Sequence, residues 1–163
     1  MNPALSAALT ELLGTDTIAN CGMIVPNDLH LRLATLLRDG GYTCYVTVCA
    51  SHWPALPPLK GAPATEERFE VATVLRNPTR RSAEQPGGSE TFSWRVQLAP
   101  GEAIASLVPL FAGADWQERE QYDLVGVHFA GHPDLRRLMM DEDWPGHPLR
   151  RDYAIDTPHA PWR

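Results

Sequence analysis

The chain has 163 residues, 44% of them apolar, and a formal net charge of -6; this length suits one domain with a real core, and the apolar fraction excludes a disordered chain. The negative balance excludes nucleic-acid phosphate binding as the main task, since neutralising phosphates requires a basic surface. No apolar run approaches the ~20 residues that cross a bilayer, and no basic segment precedes an apolar one at the N-terminus, so a cytoplasmic chain is expected, associated with a membrane only through partners.

In chain order, Asn2-Pro3 starts a helix whose Leu5, Leu9, Leu12 and Leu13 share a stripe, and Gly14 ends it. Met23-Ile24-Val25 is a short strand. Asn27 caps a second helix with Leu29, Leu33, Leu36 and Leu37 inward, stopped by Gly40-Gly41. Tyr42 to Ala50 is a strand, rich in aromatic and β-branched residues, and the proline-rich Ser51 to Glu67 is a loop. Cys21, Cys44 and Cys49 form neither a disulfide framework nor an iron-sulfur ligand set. They are expected to be reduced thiols behaving as small core residues.

Phe69, Val71, Thr73 and Leu75 alternate with polar or small residues, as do Phe92, Trp94, Val96 and Leu98. This predicts two half-buried antiparallel strands joined by a long connection, Asn77 to Glu90, with a mobile tip. Ile104, Leu107, Val108 and Phe111 then predict another helix, weakened by Pro109. The sum is an α+β fold: a mixed, largely antiparallel sheet of about four strands with helices packed on it. Residues 1–143 form the domain, and 144–163 an extended C-terminal tail.

The densest stretch runs from Asp115 to Tyr153. Asp115 is the expected N-cap of a helix, Glu118 its capping-box acid and Gly126 its left-handed stop, with Arg119 and Asp123 four apart on one face. Val127-His128-Phe129 alternates. Pro133 opens a second short helix in which Leu135, Leu138 and Met139 share a face. Pro145-Gly146 is a turn, and His147 to Tyr153 is expected to run extended, because residues preceding proline are pushed from the helical region.

The chemistry-bearing constellations are few. His128 and His132 are four apart near Glu118, Glu120 and Asp134, a spacing that suits a zinc hydrolase only on a continuous helix, and Ala130-Gly131 and Pro133 interrupt it. His132 and His147, each before proline, fit turns or interface contacts, and His30, His52 and His159 have no evident partners. No serine sits in a nucleophile elbow, and no glycine-rich nucleotide loop occurs. Arginine outnumbers lysine 13 to 1, and guanidinium forks suit bidentate pairing in partly buried interfaces. Arg136-Arg137 and Arg150-Arg151 lie beside Leu135, Leu138, Met139, Trp144, Leu149 and Tyr153, a mixture typical of interface hot spots.

Glu118-Arg119-Glu120, Tyr122-Asp123-Leu124, Gly126, Phe129, Gly131-His132-Pro133, Leu135-Arg136-Arg137 and Gly146-His147-Pro148-Leu149-Arg150 resemble the signature of the C-type subunit of proton-pumping NADH:quinone oxidoreductase, respiratory complex I. The resemblance implies a non-catalytic, peripheral subunit on the cytoplasmic side of the cell membrane. It implies no catalytic, metal or cofactor-binding residue in this chain, while the parent complex uses NADH, FMN, iron-sulfur clusters and quinone. It further implies that the signature residues, with Arg151 and Tyr153, pack against the quinone-site subunit and neighbouring iron-sulfur subunits. The same module in a membrane-bound nickel-iron hydrogenase, or in a ferredoxin- or coenzyme-driven dehydrogenase, is the near alternative.

Overall fold

The computed structural model describes residues 3–14, 22–58, 63–81, 88–154 and 156. Its elements are α1 (Pro3–Leu13), β1 (Met23–Ile24), α2 (His30–Asp39), β2 (Cys44–Trp53), β3 (Arg68–Arg81), β4 (Ser89–Leu98), β5 (Ala103–Ala105), α3 (Ala114–Val125) and β6 (His128–Ala130). The fold is α+β, as expected. Four strands form a mixed sheet in the order β1-β4-β3-β2, and β5 and β6 pair separately in parallel. Antiparallel pairing aligns Phe69 with Leu98, Val71 with Val96, Thr73 with Trp94 and Leu75 with Phe92. All eight side chains are buried on one face, the face on which α1 brings Leu5 and Leu9 and α2 brings Leu33 and Leu37 to the same core.

Phase changes along β2 once. A bulge between Tyr45 and Thr47 inserts one residue and switches the alternation. The partners of the buried face of β3 are therefore Tyr45 and then Val48, Ala50 and His52. Uninterrupted alternation predicts Cys44 and Cys49 on opposite faces; the bulge puts both on the outward face, so the thiols expected as small core residues are free and exposed, while Cys21 lies outside the described residues. β2 is also a sheet edge, and α3 covers it. Val48 N–H donates to Gln117 Oε1 (2.9 Å), Ala50 N–H donates to Gln121 Oε1 (2.9 Å), and Gln117 Nε2 donates to Val46 O (3.3 Å). Two glutamines thus stand in for a missing strand.

Three other expectations change. Asn27 does not cap α2, which follows a 3-10 turn over Asn27–Leu29 with no side-chain cap. The Asn27 amide instead donates to Glu102 Oε1 (2.7 Å) and Ala103 O (2.9 Å), tying the entry of α2 to β5. The apolar stripe from Ile104 to Phe111 is a strand followed by one turn, closed by Phe111 N–H to Leu107 O (2.8 Å). Both loops are also shorter than expected: β2 continues to Trp53, Leu56 bridges Thr65, β3 continues to Arg81 and β4 begins at Ser89. The tip at 82–87 lies outside the described residues.

The core has a built-in acid sensitivity. Trp94 Nε1 donates to His30 Nδ1 at 3.0 Å, so the imidazole carries its proton on Nε2 and is neutral. Burial lowers its pKa from 6.5 to about 4. The unfolded chain therefore takes up a proton between those values that the native chain refuses, and stability falls as pH drops through that window. At about 1.4 kcal/mol per pKa unit the loss is about 2 to 3 kcal/mol. Urea unfolding at pH 7 and pH 4 should show this extra loss in the wild type relative to His30→Gln, which has nothing to titrate there.

Candidate functional site

The signature stretch is organised by α3, whose polar face is turned inward. α3 begins after Gly113 without a side-chain cap, and Asp115 lies inside its first turn. Glu118 is no capping-box acid. It is buried, accepting the Ser106 hydroxyl on Oε2 at 2.6 Å and the Leu107 amide on Oε1 at 2.8 Å. Burial pushes its carboxyl above the ordinary range despite these two bonds. Glu118 thereby pins the chain entering α3 to the helix, and its hold on Ser106 and Leu107 is one reason that no helix forms there.

Arg119 and Asp123 share a face as expected, and both are buried. They hold opposite ends of one backbone stretch. The Arg119 guanidinium donates to the carbonyls of Arg136 (3.3 Å) and Arg137 (3.5 Å). Asp123 accepts Arg137 Nη1 at 3.1 Å on one oxygen and the amides of Leu138 (3.0 Å), Met139 (2.7 Å) and Met140 (2.9 Å) on the other. A helix opened by Pro133 would need those amides and carbonyls for itself. Residues 131–140 accordingly run as turns and bends, correcting the expected second helix.

The left-handed stop is present: Gly126 has φ 87°. Beyond it the last helical carbonyls are satisfied from the C-terminal segment, by His147 Nδ1–H to Asp123 O (2.8 Å) and Leu149 N–H to Leu124 O (2.9 Å). These are the acceptors a helix end leaves unpaired. Gly146-His147-Pro148-Leu149 is therefore a helix-capping turn and not an extended run. Arg150 N–H to His147 O (3.1 Å) and Tyr153 N–H to Arg150 O (3.2 Å) continue in turns. Residues 146–153 are folded against the domain, with the Tyr153 ring beside Gly146.

His132 is tucked in, with Nδ1 accepting the Asp134 amide (3.1 Å) and Nε2 facing Asp115 O (3.3 Å). It does not converge with the exposed His128, whose ring meets Tyr122 edge-on at 6.4 Å. The zinc pairing thus has no geometric basis. Leu135 packs partly on the core, Glu120 and Pro148 are half-buried, and Pro133 is exposed. Arg136, Met139 and Leu149 point outward, with the Arg136 side chain 68% exposed and the Met139 and Leu149 residues 64% and 63% exposed.

One cluster was signalled in the sequence only through Arg150 and Arg151. Arg150 donates to Glu67 Oε1 (3.0 Å) and Asp152 Oδ1 (3.2 Å) and lies over the Phe69 ring (5.1 Å), while Arg151 stacks on Trp53 at 4.1 Å. Between the carboxylates sits buried His52. These residues converge from positions scattered over 100 places in the sequence, and nothing local announces their meeting. His52, Glu67 and Asp152 offer donor atoms within 4.8 Å of one another, as a metal site requires. The Arg150 guanidinium, however, already supplies a positive charge to both carboxylates.

The sequence pattern described as respiratory-chain NADH dehydrogenase, 30 Kd subunit, matches residues 23–159 and so includes every residue of this arrangement. The chain belongs to that family. The C-type NADH-quinone oxidoreductase subunit of Azorhizobium caulinodans is 40% identical over 133 residues, covering 78% of this chain and 54% of the relative. Its Brucella abortus (strain 2308) counterpart is 35% identical over 160 residues, covering 93% and 71%. A C/D-type subunit of Bdellovibrio bacteriovorus is 32% identical over 152 residues, covering 93% of this chain and 23% of its own length. The chain thus spans about half the length of the Azorhizobium relative.

Two solved structures share the fold. The trypsin-resistant fragment of Nqo5 superposes with a TM-score of 0.58 at 22% identity, covering 80% of this chain and 98% of that one. A chain of the archaeal membrane-bound sulfane sulfur reductase gives a TM-score of 0.66 at 15% identity, covering 91% and 85%. Within the described residues of this 30 Kd family member, no helix is long and apolar enough to cross a membrane.

Proposed function

We propose that this chain is a non-catalytic, peripheral subunit of the proton-pumping NADH:quinone oxidoreductase, supporting the quinone-site subunit while electrons pass from NADH to quinone. The observation that carries this reading is the use made of the signature charges. Glu118, Arg119, Asp123 and Arg137 are bonded within the chain; Arg119 and Asp123 thereby fix the backbone of the outward Arg136 and Met139, while the outward Leu149 is held by its amide on Leu124 O at the end of α3. Exposed apolar side chains together with an exposed guanidinium, all on anchored backbone of the signature stretch, are the residue types that carry docking. On this reading NADH, FMN, iron-sulfur clusters and quinone are held by other subunits. Membrane attachment at the cytoplasmic face comes through them.

The arginines divide accordingly. Arg137 and Arg150 are engaged in partly buried pairs, whereas the exposed Arg136, paired with exposed Asp134 at 2.9 Å, and the exposed Arg151, stacked on Trp53, can exchange toward partner carboxylates. Placing a carboxylate at the centre of a docking surface costs several kcal/mol, and each 1.4 kcal/mol is about tenfold in affinity. Leu149→Asp should therefore reduce assembled complex at least about tenfold, with NADH:quinone reductase activity per assembled complex unchanged. Native gels and membrane assays of the variant measure both. Normal assembly with lost turnover would transfer the stretch from scaffold to mechanism, and no effect on either would place the docking surface elsewhere.

The likeness to the sulfane sulfur reductase chain supports a second reading, the equivalent subunit of a related membrane-bound complex, at the level of fold. Copurification separates them, since accompanying nucleotide- and flavin-binding subunits favour the NADH enzyme.

A further inference from the structure

We propose that the outward face of the four-stranded sheet seats an acidic helix from a partner protein, which completes a third layer over β3 and β4. α1 and α2 both pack on the other face, and α3 runs along the β2 edge. The register places Thr47, Val74 and Ser93 in one row across the outward face, Cys49, Ala72 and Arg95 in the next, and Ser51, Glu70 and Gln97 in a third. All of these except Glu70 are exposed or partly exposed. Six of the nine are short, and such a lane lets a helix axis approach the strands closely, helices being the layer that already covers the other face.

Charge selects the occupant. Outward along β3 stand Arg68, Glu70 and Arg76, and Arg95 of β4 pairs with Ala72, halfway between the two β3 arginines. The other outward positions of the sheet are uncharged, so the face carries three positive charges and one negative in a chain whose net charge is -6. The carboxylate is the sunken member: the Glu70 side chain is 11% exposed, against 35% for Arg68 and 44% for Arg95. Those two arginines meet it only at 3.4 and 3.5 Å. Arg76 is exposed and forms no ion pair among the described residues.

The arginines form a row of definite length. At ~3.3 Å per residue, Arg68 and Arg76 lie about 26 Å apart along β3, with Arg95 about 13 Å from each in the same direction. A helix rising ~1.5 Å per residue spans that row in about 17 residues, and carboxylates about seven residues apart recur on one face every ~10 Å, within reach of the three side chains. Guanidinium forks match carboxylates better than ammonium groups do, and no lysine stands among the outward positions. An anionic membrane would also meet this charge, but it would leave the lane of short side chains unpacked. The surface lies outside the signature stretch, and the inference holds whichever complex the chain joins.

Thiol labelling tests it with a native reporter, because the exposed Cys49 lies in the middle row. Its reaction with a maleimide is followed by peptide mass spectrometry in the purified chain and in a fresh extract of the cells that make it. Labelling reads the undocked fraction, so docking should slow Cys49 at least about tenfold in the extract. In Arg76→Glu, whose purified form supplies its own baseline, the slowing should be lost, because like charges then face each other. Arg76→Lys should keep most of it. Equal rates in extract and purified chain overturn the proposal. So does slowing that survives Arg76→Glu, that phosphatidylglycerol vesicles reproduce with the purified chain, or that appears in the purified chain as its concentration rises, which would make the occupant a second copy. Migration of the chain with NADH dehydrogenase activity on a native gel of the same extract reads the proposed complex separately.

Discussion

Asp123→Ala should destabilise the chain by about 3 to 5 kcal/mol, the usual cost of breaking a buried pair by removing one partner, and lower Tm by roughly 10 °C for a chain of this size. Asp123 is fully buried, and its loss strands a guanidinium and three successive amides, those of Leu138, Met139 and Met140. Burial alone would raise the Asp123 carboxyl, but the three amides and Arg137 more than offset it and hold it below the ordinary range. The sign follows: the native carboxylate releases its proton more readily than the unfolded one. Its contribution is therefore present above the ordinary carboxylate range and disappears as pH falls through the native value. Asp123→Asn should lack this acid-dependent loss, and unfolding curves at neutral and acid pH compare the two.

Gly126→Ala should cost about 2 to 4 kcal/mol. Left-handed backbone at φ 87° accounts for about 1 to 2 of it in any residue with a Cβ. The rest is steric. A Cβ there would lie 2.7 Å from His147 Cδ2, so the ring must move and release its bond to Asp123 O, worth about 1 kcal/mol. Gly126→Asn relieves the first part and not the second, because asparagine tolerates the left-handed region. Combining Gly126→Ala with His147→Ala in a double-mutant cycle isolates the second part. Additive effects would show that the two residues do not interfere.

What could be read from the sequence was local. Alternation gave β3 and β4, the leucine stripes gave α1 and α2, and a glycine at the end of a periodic run gave the stop of α3. The failures share a cause. Leu138, Met139 and Met140 have a helical pattern, but their amides bind a carboxylate 15 to 17 residues away. Asp115 and Glu118 have capping-box spacing, but a buried serine and amide upstream take Glu118 inward. Asn27 looks like a cap, but its amide reaches Glu102, 75 residues on. For the site, family resemblance gathered the signature residues into one stretch, while which of them turn inward as clamps and which point outward is decided by bonds to partners remote in sequence. His52 gave no signal because both its partners are remote in sequence.

The glutamine-covered edge of β2 has a consequence for synthesis. Ala50 and Gln121 are 71 residues apart, so the ribosome releases the strand well before the helix that shields it. At about 5 to 20 residues per second, the nascent chain carries an open hydrogen-bonding ladder for roughly 4 to 14 s. During that interval neighbouring chains on one message can join it edge to edge. Substituting Gln117 and Gln121 would extend the hazard to the finished protein, and the expected signature is lower soluble yield at high expression, relieved by slower translation.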